Sequence, residues 1–276
     1  KSRSNNASTE ISNDDWEAIR NFQATEIAKK AGIDASIDKI RIHLNKITNS
    51  TFEKQKDAIF SEIENIIETT DSSKNSNLDK ISELLFNIAS NNSFYSNLYA
   101  DLYCALIKKY EFIGHTLEHH LVKLDSLFCE FESCDPEKDY DKFCEINKSN
   151  ESRRAASLFY VNLMKRNLIE QDRIVELIHM LQGKLSKEIN LNDKIPVVEE
   201  LAELLNIIIT NCWQPDKDWN QEDSNEWINS WLIRGTLMRE NIDAIACEKA
   251  KNYPSLSNKT VFKHMDIRDA LNKLTK

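Results

Sequence analysis

The sequence predicts an all-α fold, a row of about five antiparallel helix pairs, on three observations. Apolar residues recur at helical spacing almost throughout the chain. Alternation of period two is nowhere sustained, and only four Gly and four Pro interrupt the 276 residues.

Taken in order, residues 1–36 read as an N-terminal extension, polar at first and then carrying one short helix. Trp16, Ile19, Phe22 and Ile27 share its face, and Gly32 is its stop. From residue 37 to 276 the helix pairs follow. Ile37, Ile40, Leu44 and Ile47 form one stripe and Phe52, Ile59, Ile63 and Ile66 the next, with Ser50-Thr51-Phe52-Glu53 reading as a capping box that uses the Ser oxygen. The unit recurs as Leu78, Ile81, Leu84, Leu85 and Ile88, the turn Asn91-Asn92-Ser93, then Tyr95, Leu98, Leu102 and Leu106. Leu117, Leu121, Leu124, Phe128 and Phe131 predict a further helix, whose partner spans about 151–166 through Ala155, Leu158, Phe159 and Leu163; the polar CDPEKDYDKFCEINKSN between them reads as loop. Ile174, Ile178, Leu181 and Leu185 face Val197, Leu201, Leu204, Leu205 and Ile208, with Pro196 suited to a first helical turn. A last pair is expected at about 224–250 and 258–274. Pairs spaced at roughly 40 residues match a HEAT-type solenoid, each burying its stripe against its neighbours.

Composition narrows the function classes. Hydrophobic residues at 41% and charged residues at 29% support a sizeable core, and the formal charge of −9 argues against bulk nucleic acid as the main partner. No run approaches the ~18 apolar residues of a membrane helix, and KSRSNNASTE has no apolar signal core. The missing initiator Met reads as the mark of an excised fragment, and the 28 Asn as the bias of AT-rich coding sequence. Six cysteines without CxxC spacing fit a reducing cytosol or nucleus.

Each candidate site has a plainer reading beside it. His115-Thr116-Leu117-Glu118-His119 satisfies the H-x-x-E-H pattern, in which two His bind one metal and the Glu activates water; a solvated helix start is the preferred reading. Cys129, Cys134 and Cys144 match no common zinc spacing and are expected to be buried or half-buried thiols, so no metal is assigned. Four Gly leave no phosphate-cradling loop or nucleophile elbow, which argues against an enzyme, and no cofactor is implied. Trp213, Trp219, Trp227 and Trp231 offer partner anchors, with core filling the commoner use. Arg153, Arg154, Lys165 and Arg166 are weak candidates for RNA phosphates, and intramolecular ion pairs or solvated helix ends are preferred.

Several stretches together carry a resemblance. Leu44-Asn45-Lys46-Ile47-Thr48 followed by Phe52-Glu53-Lys54 resembles the L-N-K-L-T turn F-E-K that opens the HEAT-repeat middle domain of eukaryotic translation initiation factor 4G. Ser93, Phe94, Tyr99 and Ala100 are similar to that family's S-F-x-x-x-Y-A. Arg153 and Arg154 with Leu163, Lys165 and Leu168 resemble its R-R segment, and VVEELAELLNII its E-x-L-x-x-L-L helix. Ser257, Lys259, Phe262, Asp266, Ile267 and Asp269 follow its last helix, with Lys259 in place of an Arg; the Trp-rich stretch has no counterpart.

The resemblance implies a cytoplasmic translation scaffold for a DEAD-box RNA helicase of the initiation factor 4A type, with mRNA or ribosome-associated initiation factors as further partners and no membrane. It also implies that the first turn meets one helicase lobe and the far end the other: some of Asn45, Lys46 and Thr48 are the contacts expected at the first, with Phe52 either joining them or packing inward at the base of the hairpin, and Lys259 and Arg268 those expected at the second. An RNA-binding or adaptor HEAT domain of a splicing, mRNA decay, nuclear cap-binding or poly(A)-protein-interacting factor is the alternative.

Overall fold

The first two apolar stripes form α1 (Ile33–Leu44) and α2 (Phe52–Thr69), and Ile40, Leu44, Ile47, Ile59, Ile63 and Ile66 are all buried between them and their neighbours. This computed structural model describes residues 33–69, 74–212 and 236–274. The helix expected around Trp16 to Gly32 and the tryptophans at 213, 219, 227 and 231 lie outside the described residues. Helix α1 runs across the expected boundary at residue 36, so the first pair begins a turn earlier than the apolar stripe indicates.

The second pair is α3 (Lys74–Ser90) and α4 (Ser96–Lys109). In the turn between them Asn92 Oδ1 accepts from the Tyr95 amide at 3.0 Å, satisfying an N–H that the start of α4 leaves orphaned. Helix α5 (Glu111–Asp125) tightens into a 3-10 turn at Ser126–Phe128, which seats Phe128 fully in the core.

The expected loop before residue 151 is corrected: α6 starts at Tyr140 and runs to Lys165. Asp139 caps it, its carboxylate accepting from the Lys142 amide at 2.9 Å. The first turns of α6 are largely exposed, so they need no apolar stripe, and an expectation built on apolar spacing overlooks them.

Helix α6 ends in a two-bond cap. The Asn167 amide donates to Met164 O at 2.8 Å and the Leu168 amide to Leu163 O at 3.0 Å, with Asn167 at φ 55°. Asn tolerates that left-handed conformation, and the chain turns sharply into α7 (Gln171–Glu188). Helix α8 (Ile195–Cys212) carries Pro196 in its first turn and buries Val197, Val198, Leu201, Leu204, Leu205, Ile208 and Ile209. The last described elements are α9 (Thr236–Ala246), a 3-10 turn at Ala250–Asn252, and α10 (Asn258–Leu274).

Among the described residues the structure has ten α-helices and no strand, as the spacing predicts. Packing follows chain order. Helix α1 packs on α2 and α3, α2 on α4, α3 on α5 and α4 on α6; then α6 packs on α8, α7 on α9, and α8 and α9 on α10. One continuous apolar core runs from Ile40 to Leu271. At its centre Phe159 meets Phe86 and Tyr103 edge to face, and Phe86 stacks on His120, which joins α3, α4, α5 and α6. No described helix is long and apolar enough to cross a membrane.

Candidate functional site

The turn between α1 and α2 is held by hydroxyl groups. Thr51 Oγ1 donates to Lys46 O at 2.6 Å and accepts from the Thr48 amide at 2.9 Å. Because its one proton goes to Lys46 O, the 2.8 Å contact with Thr48 Oγ1 must be donated by Thr48. Ser50 in turn donates to Thr48 Oγ1 at 3.2 Å. From below, the buried Tyr99 of α4 donates its hydroxyl to Leu44 O at 2.9 Å, and His43 Nδ1 meets Gln55 Oε1 at 2.8 Å. The expected capping box is therefore corrected: Thr51, not Ser50, precedes α2, and its oxygen staples the turn rather than capping the helix.

Within this staple Asn45 and Lys46 project into solvent, whereas Thr48 is half-buried with its hydroxyl engaged and Phe52 packs half-buried against the core. Of the four expected contact residues, two are surface and two are support. Thr51→Val keeps the volume and removes the three hydrogen bonds of Thr51 Oγ1, to Lys46 O, the Thr48 amide and Thr48 Oγ1. It is expected to destabilise the chain by about 1–2 kcal/mol in urea unfolding, whereas Lys46→Ala is expected to cost less than about 0.5 kcal/mol.

At the other end of the packing order, Ser257 caps α10, accepting from the Thr260 amide at 3.2 Å and donating to Glu199 Oε1 at 2.8 Å. Lys259 is exposed but pairs with the other oxygen of Glu199 at 3.0 Å, and Lys263 pairs with Glu203 at 2.8 Å, so both lysines tie α10 to α8. Arg268 is half-buried and donates to Cys247 Sγ at 3.6 Å. Three exposed aromatics among the described residues are not among the expected contacts: Phe262 on α10 is 61% exposed, Tyr140 at the start of α6 67%, and Phe94, beside the α3–α4 turn, 81%. Phe94 and Phe262 are marked in the sequence by the motifs of the resemblance, and Phe262 also stands off the buried stripe of α10.

The basic cluster is intramolecular. Arg153 is buried, its Nε donating to Leu127 O at 2.7 Å, one terminal nitrogen to Glu130 O at 2.7 Å and the other to Asn150 Oδ1 at 2.6 Å. Arg154 forks onto the buried carboxylate of Glu200, its Nε at 3.0 Å from Oε1. Arg166 donates to Asp101 Oδ1 at 2.6 Å and to Asn162 O at 3.1 Å. Lys165, next to it, is half-buried. The three guanidinium groups thus have partners within the fold, the intramolecular pairing that is the preferred reading of this cluster.

His115 and His119 lie exposed on α5, and His115 sits 3.4 Å from Glu111. Glu118, which would activate water in a metal site, is held by Arg173, whose guanidinium lies 2.9 and 3.0 Å from its two oxygens. His120, the neighbouring histidine, is buried with Nε2 3.1 Å from Ser82 Oγ; burial holds its pKa below the ordinary value. Among the described residues no group of three or more His, Cys, Asp or Glu is placed to hold a metal. The thiol expectation is corrected in part: Cys134 is half-buried, but Cys129 and Cys144 are exposed. Burial pushes the Cys212 thiol up to about 12. No family model matches the chain, and no curated protein is similar to it at a significant level.

Proposed function

We propose that the chain is a HEAT-type solenoid that scaffolds a DEAD-box RNA helicase of the initiation factor 4A type, holding its two lobes and coupling it to mRNA recruitment. The observation that carries this reading is the hydroxyl-stapled turn, which presents Asn45 and Lys46 to solvent from a rigid base. A preformed contact loses little conformational entropy on binding. Helices packed in chain order, with exposed Phe262 on the last described helix, supply a second contact far along that order. Holding both lobes raises their effective concentration and biases the open-to-closed equilibrium of the helicase, so catalysis belongs to the partner.

The RNA-binding alternative is weakened because Arg153, Arg154 and Arg166 are engaged internally. The test is calorimetry of the chain against an intact helicase of this class and against each lobe alone. Lys46→Glu is expected to weaken one lobe and Phe262→Ser the other, each by about tenfold. Each change should also reduce stimulation of the RNA-dependent ATPase. Wild-type affinity for all three targets in both folded variants would sink this function.

A further inference from the structure

The stagger in which helices pack on the next but one has an exception: α5 and α7 lack the close packing that joins α4 to α6 and α6 to α8. The gap is bridged by Arg173 of α7. Its terminal nitrogens reach Glu118 at 2.9 Å and Asp125 at 2.7 Å, a clasp spanning two turns of α5. Burial works against the Arg173 charge, and the two carboxylates more than offset it, so its pKa is raised.

On either side of that clasp the gap is open. One cavity of about 300 Å³ is floored by Leu117, Leu121 and Leu168; the other, of about 600 Å³, by Leu177 and Met180, and Arg173 lines both. The rim is acidic. Glu118, Glu170, Asp172 and Glu176 are exposed along it, Asp125 is half-buried, and Glu170 and Glu176 carry no ion pair among the described residues. Arg173 holds Glu118 and Asp125, and Lys184 lies on the carbonyl of Cys129 at one end, so Glu170 and Glu176 supply the negative border of the trough.

We propose that the α5–α7 groove docks a basic amphipathic helix of a partner protein. Its apolar side chains enter the two cavities astride Arg173, and its Lys and Arg residues meet the acidic rim. The two cavities on either side of Arg173 offer paired anchor pockets of the kind that helix-in-groove recognition uses. The charge selects a cationic helix over an anionic one. This site is separate from the α1–α2 turn and does not depend on the helicase reading.

The probe is a fluorescein-labelled Leu/Lys peptide with Leu at i, i+3, i+4 and i+7, titrated with the full chain and followed by anisotropy. It is expected to bind, while the Leu/Glu peptide and a Ser/Lys peptide with Ser in place of every Leu do not. Glu170→Lys combined with Glu176→Lys should weaken binding by about tenfold. The same reversal on α2, Asp57→Lys with Glu68→Lys, should leave it unchanged. Absence of Leu/Lys binding overturns the proposal, as does equal binding of the Ser/Lys peptide. Equal loss in the α2 variant would reduce the effect to general attraction by an acidic protein. A groove reversal that changes the sedimentation of the chain alone would make a second copy the occupant, and would equally overturn it.

Discussion

Phe159→Ala is expected to destabilise the chain by about 3–5 kcal/mol, the cost of emptying a fully enclosed aromatic site. Its ring is completely buried, 5.8 Å from Phe86 and 6.1 Å from Tyr103 between centroids, with both pairs edge to face. Edge-to-face pairs add roughly 0.5–1.5 kcal/mol each beyond area burial. Because Phe86 also stacks on His120 at 5.0 Å, four helices share the site and none can collapse alone to refill it. Phe159→Leu retains most of the volume and should cost about 1.5 kcal/mol. Urea titrations of the two variants decide the matter. An Ala variant within about 1 kcal/mol of wild type would mean that this junction does not hold the early and late helices together.

Arg153→Ala is expected to cost about 3 kcal/mol, with RNA affinity unchanged. Arg153 is only 8% exposed, and its guanidinium lies 4.7 Å above the Phe131 ring and ties Leu127 O and Glu130 O to Asn150. It closes the segment between the 3-10 turn and α6, where two carbonyls would otherwise lack a protein donor. Burial lowers its pKa without removing its charge, since a guanidinium titrates far above neutrality. Arg153→Lys should recover only part of the loss, because an ammonium cannot fork to two carbonyls and an amide oxygen in one plane. An Ala variant of unchanged stability and reduced RNA affinity would restore Arg153 to a nucleic-acid surface.

Most helices were legible because helix formation leaves a local record. Ile174, Ile178, Leu181 and Leu185 are each fully buried, as the stripe requires, and the same holds for Leu201, Leu204, Leu205 and Ile208. The record failed where a helix has no apolar face to show. The opening turns of α6 carry polar side chains around most of the circumference, and only the Asp139 cap marks the start. At the α1–α2 turn the residue types pointed to a hydroxyl cap, but Ser50 and Thr51 are adjacent, and the pattern does not say which oxygen faces the backbone. Tyr99, 55 positions from its acceptor Leu44 O, selects the geometry from below.

By itself, then, the sequence determined the helical class, the order of the apolar stripes and most of the turns, since those follow from side-chain spacing along a single element. Tertiary structure alone decided which charged side chains meet across helices. Arg154 and Glu200 are 46 positions apart, Lys259 and Glu199 are 60 apart, and Arg173 and Glu118 are 55 apart. No periodicity relates such residues; they meet because helices distant in the chain are brought side by side by the burial of their apolar faces. The same reason left the α5–α7 groove invisible in the sequence. A groove is the space between two elements, and its acidic rim exists only once both helices have taken their places around Arg173.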